Sequence, residues 1–415
     1  MATAGGDRPA GSTIATAIAA SSLVTSLAFV RYVRSGREPR LICAEDSELA
    51  KEVIAHCAAL RKSYWPHGLH LHWLIPCAIG ALKALPVPSF ARKHSHEVPL
   101  ILADGGTISL DWWCDCWPPL ERGSKGDGPR PVVLVLPGLG NSSRSLYIRE
   151  TMARLDASGF QPVALNYRCV EHLPLTSARV AAGDSWHDLP EVLAEIQSTC
   201  PGAPIYALAY SMGGTMLTRH LGVSGADTPI RAAVAVSPPL AYEAHGRALL
   251  AAPFLSFVMT LPLKKWLWEK RRQVETLMPG RRIWDFMRCG SLHDMLKLIG
   301  PVHGFGSPEE YFRVNDPEAT MPGICRPLLL ISAADDPLIQ PVPYTAVRNN
   351  ASIVMAETDG GGHLGWAGAR AGWGPTLSGS WADSLALQFL THQAMRAAGV
   401  SRGDRPSAVL LRSKL

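Results

Sequence analysis

The sequence predicts an α/β fold, a mostly parallel doubly wound sheet carrying a helical cap insertion. Three observations predict it. PVVLVLPG is a short, continuous β-branched run, as expected of a strand buried on both faces, and QPVALNYR, PIYALAYS and AAVAVSPP read as further strands. Helical stretches separate them, and strands alternating with helices imply parallel neighbours joined by right-handed crossovers. The rhythm breaks over residues 241–320, where apolar helical stretches mix with cations and no strand is evident. It resumes with RPLLLISAADDP and ASIVMAETDGGGHLGW.

Taken in order, residues 1–40 form a leader. Residues 14–33 hold no charge until Arg31, and about 20 residues at ~1.5 Å each span a ~30 Å hydrocarbon core, so a single membrane anchor fits. The stronger positive flank is the C-terminal one, which would hold the main domain on the cytoplasmic side. Arg8, Arg31, Arg34, Arg37 and Arg40, with only Asp7 as an acid before Glu38, also suit a mitochondrial or plastid transit peptide. Residues 41–95 read as a helical cap segment. It ends in a Pro-, His- and Trp-rich stretch whose apolar run, between His72 and Lys83, is shorter than a bilayer requires.

Residues 96–400 form the main domain. VPLILADGGTISLDWW reads as a hairpin turning at Asp104-Gly105-Gly106. YIRETMARLDASG is a helix stopped by Gly159, and GDSWHDLPEVLAEIQSTC is the next, with Asp184 as its N-cap. A helix opens at MGGTMLTRHL, the last runs through SWADSLALQFLTHQAMRAAG, and residues 401–415 are a tail.

The composition of the 415 residues, 47% apolar and 18% charged, is that of an ordinary globular protein. The formal charge is +5, yet Lys and Arg are scattered without interleaved aromatics, which excludes nucleic acid as a partner. Nine cysteines are spread widely. The only close pair, Cys114 and Cys116, has one residue between rather than the two of metal or redox motifs, so the thiols read as reduced and buried. No metal and no cofactor is expected.

Acyl transfer at neutral pH needs a nucleophile, a base to activate it, an acid to orient that base, and donors for the oxyanion. The sequence offers each. Ser211 follows the strand PIYALAY and precedes a helix rich in small residues, the context of a small-x-Ser-x-Gly turn, with Ala209 and Gly213 at its small positions. His363, in TDGGGHLGW, follows the last strand, where glycines let the backbone aim an imidazole. The acid belongs after the penultimate strand, where Asp335 and Asp336 are both candidates. Asp336, just before Pro337, is preferred, and Asp335 reads as a cap or ion-pair partner. The oxyanion donors are the backbone N–H groups of Met212 and Leu139, the latter from the loop PGLGNSS.

ADGGTISLDW, PGLGNSS, LNYR, AAGDSWHDL, AYSMGG, HGFGSPEEYF, SAADDP and GGHLGW, in this order, resemble one branch of the α/β-hydrolases, from about Tyr64 to Met395. That branch holds bacterial YheT-like esterases, animal membrane-anchored lipases and phospholipases, and yeast medium-chain ester synthases. The resemblance implies the α/β-hydrolase fold, with Ser211 as nucleophile, Asp336 as acid and His363 as base. It also implies lipid or other acyl-ester substrates of medium to long chain, hydrolysed or passed to an alcohol, and membrane association. Two positions depart from the pattern, Pro137 where relatives carry His and Ala209 where they carry Gly. They motivate a third reading, a membrane-tethered scaffold without activity. The segment from Leu249 to Arg272, with Trp266 and Trp268, reads as lid core, as acyl-tunnel lining or as a membrane-interface face.

Overall fold

The computed structural model describes residues 38–61, 85, 94–114, 129–366, 368–370, 373–376 and 380–399. The expected anchor at 14–33, most of the stretch that follows Tyr64, and the tail at 401–415 lie outside them. Among the described residues, nine strands form one sheet. They are β1 (Arg40–Cys43), β2 (His96–Ile101), β3 (Thr107–Trp112), β4 (Val132–Leu136), β5 (Gln161–Asn166), β6 (Ile205–Tyr210), β7 (Ile230–Val236), β8 (Leu328–Ala333) and β9 (Ile353–Thr358). Their order across the sheet is β1-β9-β8-β7-β6-β4-β5-β3-β2. The inner strands β5, β4, β6, β7, β8 and β9 run parallel. The edges are antiparallel, with β1 on β9 and the expected hairpin β2–β3 on β5. Two short strands, β10 (Gly368–Arg370) and β11 (Trp373–Thr376), pair separately in a ribbon that the sequence reading does not foresee.

The helices are α1 (Glu48–His56), α2 (Leu146–Ala157), α3 (Leu189–Thr199), α4 (Met212–Ser224), α5 (Tyr242–Ala251), α6 (Pro253–Glu269), α7 (Arg271–Leu277), α8 (Ile283–Met287), α9 (Leu292–Ile299), α10 (Pro308–Val314), α11 (Tyr344–Arg348) and α12 (Trp381–Ala397). Strand alternation explains how they cover the sheet. In β4, Val132, Leu134 and Leu136 join the core beneath α3, α4 and the insertion helices. Val133 and Val135 join the opposite core with α1, α2 and α12. Both faces of the strand are therefore apolar, and its sequence reads as a continuous run rather than an alternation.

Two expectations are corrected. The segment after residue 40 does not open a cap: β1 extends the sheet along β9, and α1 buries Leu49, Ala50 and Val53 beside α12. Four residues, RLIC, are too short a run to announce a strand. Asp184 does not cap a helix either. It lies in a 3₁₀ turn, Gly183–Asp188, and its buried carboxylate meets Arg179 Nη2 at 2.7 Å and His303 Nδ1 at 2.9 Å. A buried carboxylate needs charged partners more than a helix needs a cap, and α3 begins instead at Leu189 with Pro190 in its first turn. Burial alone would raise the Asp184 carboxyl, but His303 and Arg179 hold it below its ordinary value. His303 Nε2 accepts from the Val180 N–H at 3.2 Å, so this cluster ties the insertion to the loop before α3.

Candidate active site

Ser211 stands where β6 turns sharply into α4. Its backbone sits at φ 51°, ψ −123°, a conformation that non-glycine residues avoid at a cost of about 1–3 kcal/mol. The surroundings enforce it. The Ser211 N–H donates to the Val236 carbonyl at 2.8 Å, and its own carbonyl accepts from the N–H groups of Gly214 and Thr215 at 2.8 and 3.1 Å. Gly213 is required by space, since a Cβ there would lie 2.5 Å from the carbonyl oxygens of both Leu136 and Pro137. Ala209 pairs with Leu136 and Ala235, and its methyl is buried in the core on the insertion side. The extra methyl at this departure from the family pattern is thus housed within the sheet.

The loop after β8 carries Asp335 and Asp336, and the loop after β9 carries His363. The imidazole Nε2 lies 2.8 Å from Ser211 Oγ, and Nδ1 lies 2.9 Å from Asp336 Oδ2. Asp336 is fully buried, and its Oδ1 accepts from the Leu338 N–H at 2.9 Å. An ionised carboxylate only accepts, so it fixes the proton on Nδ1 and leaves Nε2 able to receive the Ser211 proton. Of the two candidate acids, Asp336 reaches the ring. Asp335 Oδ1 accepts instead from the Gly362 N–H at 2.8 Å, fixing the backbone that presents the imidazole. That backbone is unusual, with Gly361, Gly362 and Leu364 all at positive φ. A Cβ at Gly361 would lie 2.4 Å from Trp366 Nε1.

Met212 is the first residue of α4, where a helix leaves its N–H groups without intrahelical partners. Leu139 lies on the loop after β4, and both residues line the same cavity as Ser211. Gly138 is excluded as a donor, because its N–H already bonds Tyr147 Oη at 3.0 Å. On the other side of the loop, Tyr167 Oη donates to the Pro137 carbonyl at 2.8 Å. Two buried phenols therefore hold the loop after β4 at the position that departs from the family pattern. Burial pushes both of them above their ordinary range, which keeps them protonated.

The cavity has an empty volume of about 580 Å³, including its open mouth. Leu249, Met259, Leu263, Leu292, Leu296 and Ile299, all from the insertion, supply much of its wall. Of the three readings of Leu249 to Arg272, cavity lining and lid core both hold, since Trp266 and Leu267 are buried in the core. Among the described residues no group of three or more His, Cys, Asp or Glu side chains is placed to hold a metal ion.

A model described as the alpha/beta hydrolase family matches residues 132–373. The chain belongs to the alpha/beta hydrolase family. It is 25% identical over 359 residues to the phospholipase ABHD3 of Bos taurus, covering 82% of each chain. It is likewise 25% identical over 369 residues to a monoacylglycerol lipase ABHD2 of Danio rerio, covering 84% of each. Among solved structures, a Pyrococcus furiosus esterase aligns with a TM-score of 0.42 at 18% identity, over 67% of this chain and 87% of that one. With lipase and phospholipase relatives along most of its length, this alpha/beta hydrolase is an enzyme of the lipase and esterase type.

Several residues that shape the site of this hydrolase escaped the sequence reading. Tyr147 and Tyr167 lie in the quoted segments YIRETM and LNYR, but nothing in those segments marks a phenol as a loop support. His245, on α5, also lines the cavity and is 2% exposed. It lies in the insertion, where the reading had no strand rhythm to place it.

Proposed function

We propose that the protein hydrolyses medium- to long-chain acyl esters through an acyl-enzyme on Ser211. The observation that carries this reading is a run of hydrogen bonds from Asp336 through His363 to Ser211 Oγ, ending at an apolar cavity. Oγ attacks the ester carbonyl carbon while His363 Nε2 takes its proton. The N–H groups of Met212 and Leu139 stabilise the resulting oxyanion, and loss of one such donor typically costs ~10²–10³ in rate. Collapse breaks the ester C–O bond, and His363 returns the proton to the leaving alcohol. Water then gives a proton to His363 and attacks the acyl carbonyl, and collapse breaks the acyl C–Oγ bond as His363 returns that proton to Ser211 Oγ, releasing the free acid. Asp336 stays ionised throughout and stabilises the imidazolium.

An alcohol in place of water would turn the same intermediate into an ester, and one experiment separates the two outcomes. Purified protein is offered p-nitrophenyl esters of graded chain length, with and without added ethanol. Turnover that favours the longer chains, yields free acid and disappears in Ser211→Ala supports hydrolysis. A dominant ethyl ester moves the reading to acyl transfer, and a folded protein that turns over none of the esters removes both and favours the scaffold.

We further propose that the protein associates with a membrane through one anchor at residues 14–33, with the catalytic domain facing the cytosol. Support comes from the uncharged run before Arg31 and the cluster Arg31, Arg34, Arg37 and Arg40 after it. The insertion adds a second support. Leu250, Phe254, Leu261, Trp268 and Trp284 are exposed on it, and Lys265, Arg271 and Arg272 stand among them in sequence, an arrangement suited to an anionic lipid interface. Among the described residues no single helix is long and apolar enough to cross a membrane; α5 and α6 reach that length only together, bent by 110°. Membranes washed in alkaline carbonate should retain the protein at full length. Release into the wash contradicts the anchor, and a mature chain shortened at its N-terminus indicates a transit peptide instead.

A further inference from the structure

Pro262 stands in the interior of α6, where proline is disfavoured. It has no N–H to donate to the Val258 carbonyl, and its ring crowds the preceding turn, yet Pro253–Glu269 runs as one helix. A local rule broken inside an element calls for a gain elsewhere. The gain lies at the loop after β4. A Cβ on Gly140 would lie 2.7 Å from both Cβ and Cγ of Pro262, so the bare Gly140 backbone rests against the pyrrolidine ring. Met259 and Leu263, on either side of Pro262 in sequence, line the cavity, whereas Pro262 is not part of its wall. Its ring meets the loop instead.

Gly140 occupies a sensitive place in that loop. The Asn141 N–H donates to the Gly138 carbonyl at 3.1 Å, closing a turn whose central residues are Leu139 and Gly140. Gly140 has φ +82°, the value a type II turn requires of its third residue. Polar groups already hold much of the loop: Tyr147 Oη takes the Gly138 N–H, Tyr167 Oη donates to the Pro137 carbonyl, and Asn141 Nδ2 donates to the Leu139 carbonyl at 3.0 Å. Glycine, however, leaves such a conformation more easily than any other residue, so packing against it decides whether the turn keeps its shape. We propose that Pro262 is a positioning residue, whose ring holds the Gly140 turn and with it the Leu139 N–H, so that the insertion governs the rate of acyl transfer as well as the shape of the cavity. This rests on the acyl-enzyme reading above, in which Leu139 supplies an oxyanion donor. Such a donor acts at about 2.7–3.1 Å from the oxyanion, and a turn that drifts weakens it without touching the triad.

The test is Pro262→Ala, which keeps Cβ, removes Cγ and returns an N–H to the helix. Ala is the better helix former, so Tm should not fall. The kcat for p-nitrophenyl palmitate should nevertheless drop by about tenfold, part of the ~10²–10³ that outright loss of a donor costs. KM should stay within about twofold of the wild type, because the ring is outside the cavity wall. Inhibitors separate positioning from packing. An alkyl trifluoromethyl ketone is attacked by Ser211 Oγ at its carbonyl carbon, the Oγ proton passes to His363 and the ketone oxygen becomes an oxyanion; the matching carbinol carries the same chain and forms none. The ketone should bind the variant about tenfold more weakly, in step with kcat, and the carbinol as tightly as it binds the wild type. Pro262→Gly, which removes both contacting atoms, should lose more than Pro262→Ala, and it decides if the Ala variant does not fold. An unchanged kcat in the folded variants overturns the inference, as does equal weakening of ketone and carbinol. Failure of both variants to fold overturns it too, in favour of a role in packing. A wild type that cleaves no ester and binds the ketone no more tightly than the carbinol is a different result, because it removes the hydrolase reading itself.

Discussion

Two adjacent carboxylates just after β8 divide the work of presenting one imidazole. Asp336 bonds the ring, and Asp335 bonds the backbone N–H beside it. Their substitutions should therefore differ in size. Asp336→Asn keeps the shape but offers an amide that can hold the wrong tautomer, and kcat should fall by ~10⁴, as when the acid of a Ser-His-Asp triad is replaced by its amide. Asp335→Ala leaves the triad complete and loosens its loop, so ester turnover should fall by much less than in Asp336→Asn. Equal losses from the two would contradict this division. The sequence identified Ser211 and His363 through their flanking strand and glycines, and preferred Asp336 over Asp335 for its place just before Pro337. What it does not show is the direction of each side chain, Asp336 toward the ring and Asp335 toward the Gly362 N–H.

At the scale of elements, the turn from β6 into α4 is held by backbone contact rather than by side chains. Gly213→Ala would ordinarily favour a helix by about 1 kcal/mol. Here the new methyl meets two carbonyl oxygens at 2.5 Å, so the variant should melt below the wild type and lose esterase activity. A second consequence lies further along α4. His220 is pushed down to about 4 by burial. Between its ordinary value near 6.5 and about 4, the unfolded chain binds a proton that the native ring refuses, so stability falls as pH falls through that window. The wild type should lose several degrees of Tm between pH 7 and pH 5. His220→Gln should show a smaller loss over the same interval, and an unchanged one would assign the acid sensitivity to other groups. The strands around these helices were legible because runs such as VVLVL are apolar on both faces. β1 was not, because four residues carry no period, and its place on the sheet depends on a partner more than 300 residues away.

At the scale of the molecule, one chain folds a sheet with a core on each face and assigns its faces different tasks. α1, α2 and α12 close one side, while α3, α4 and the insertion close the other and leave the cavity above Ser211. The insertion's outline was visible in the sequence as a break in rhythm. Its use was not, because Leu, Met and Ile read the same whether they fill a core or line a cavity. We propose Ser211 as an acyl-transfer nucleophile activated by His363. It is tested most directly by exposing the folded protein to a fluorophosphonate probe and mapping the labelled peptide by mass spectrometry. One adduct on Ser211 is expected, absent in Ser211→Ala and strongly slowed in His363→Ala. A folded wild type that takes no label, or takes it on another residue, would contradict it.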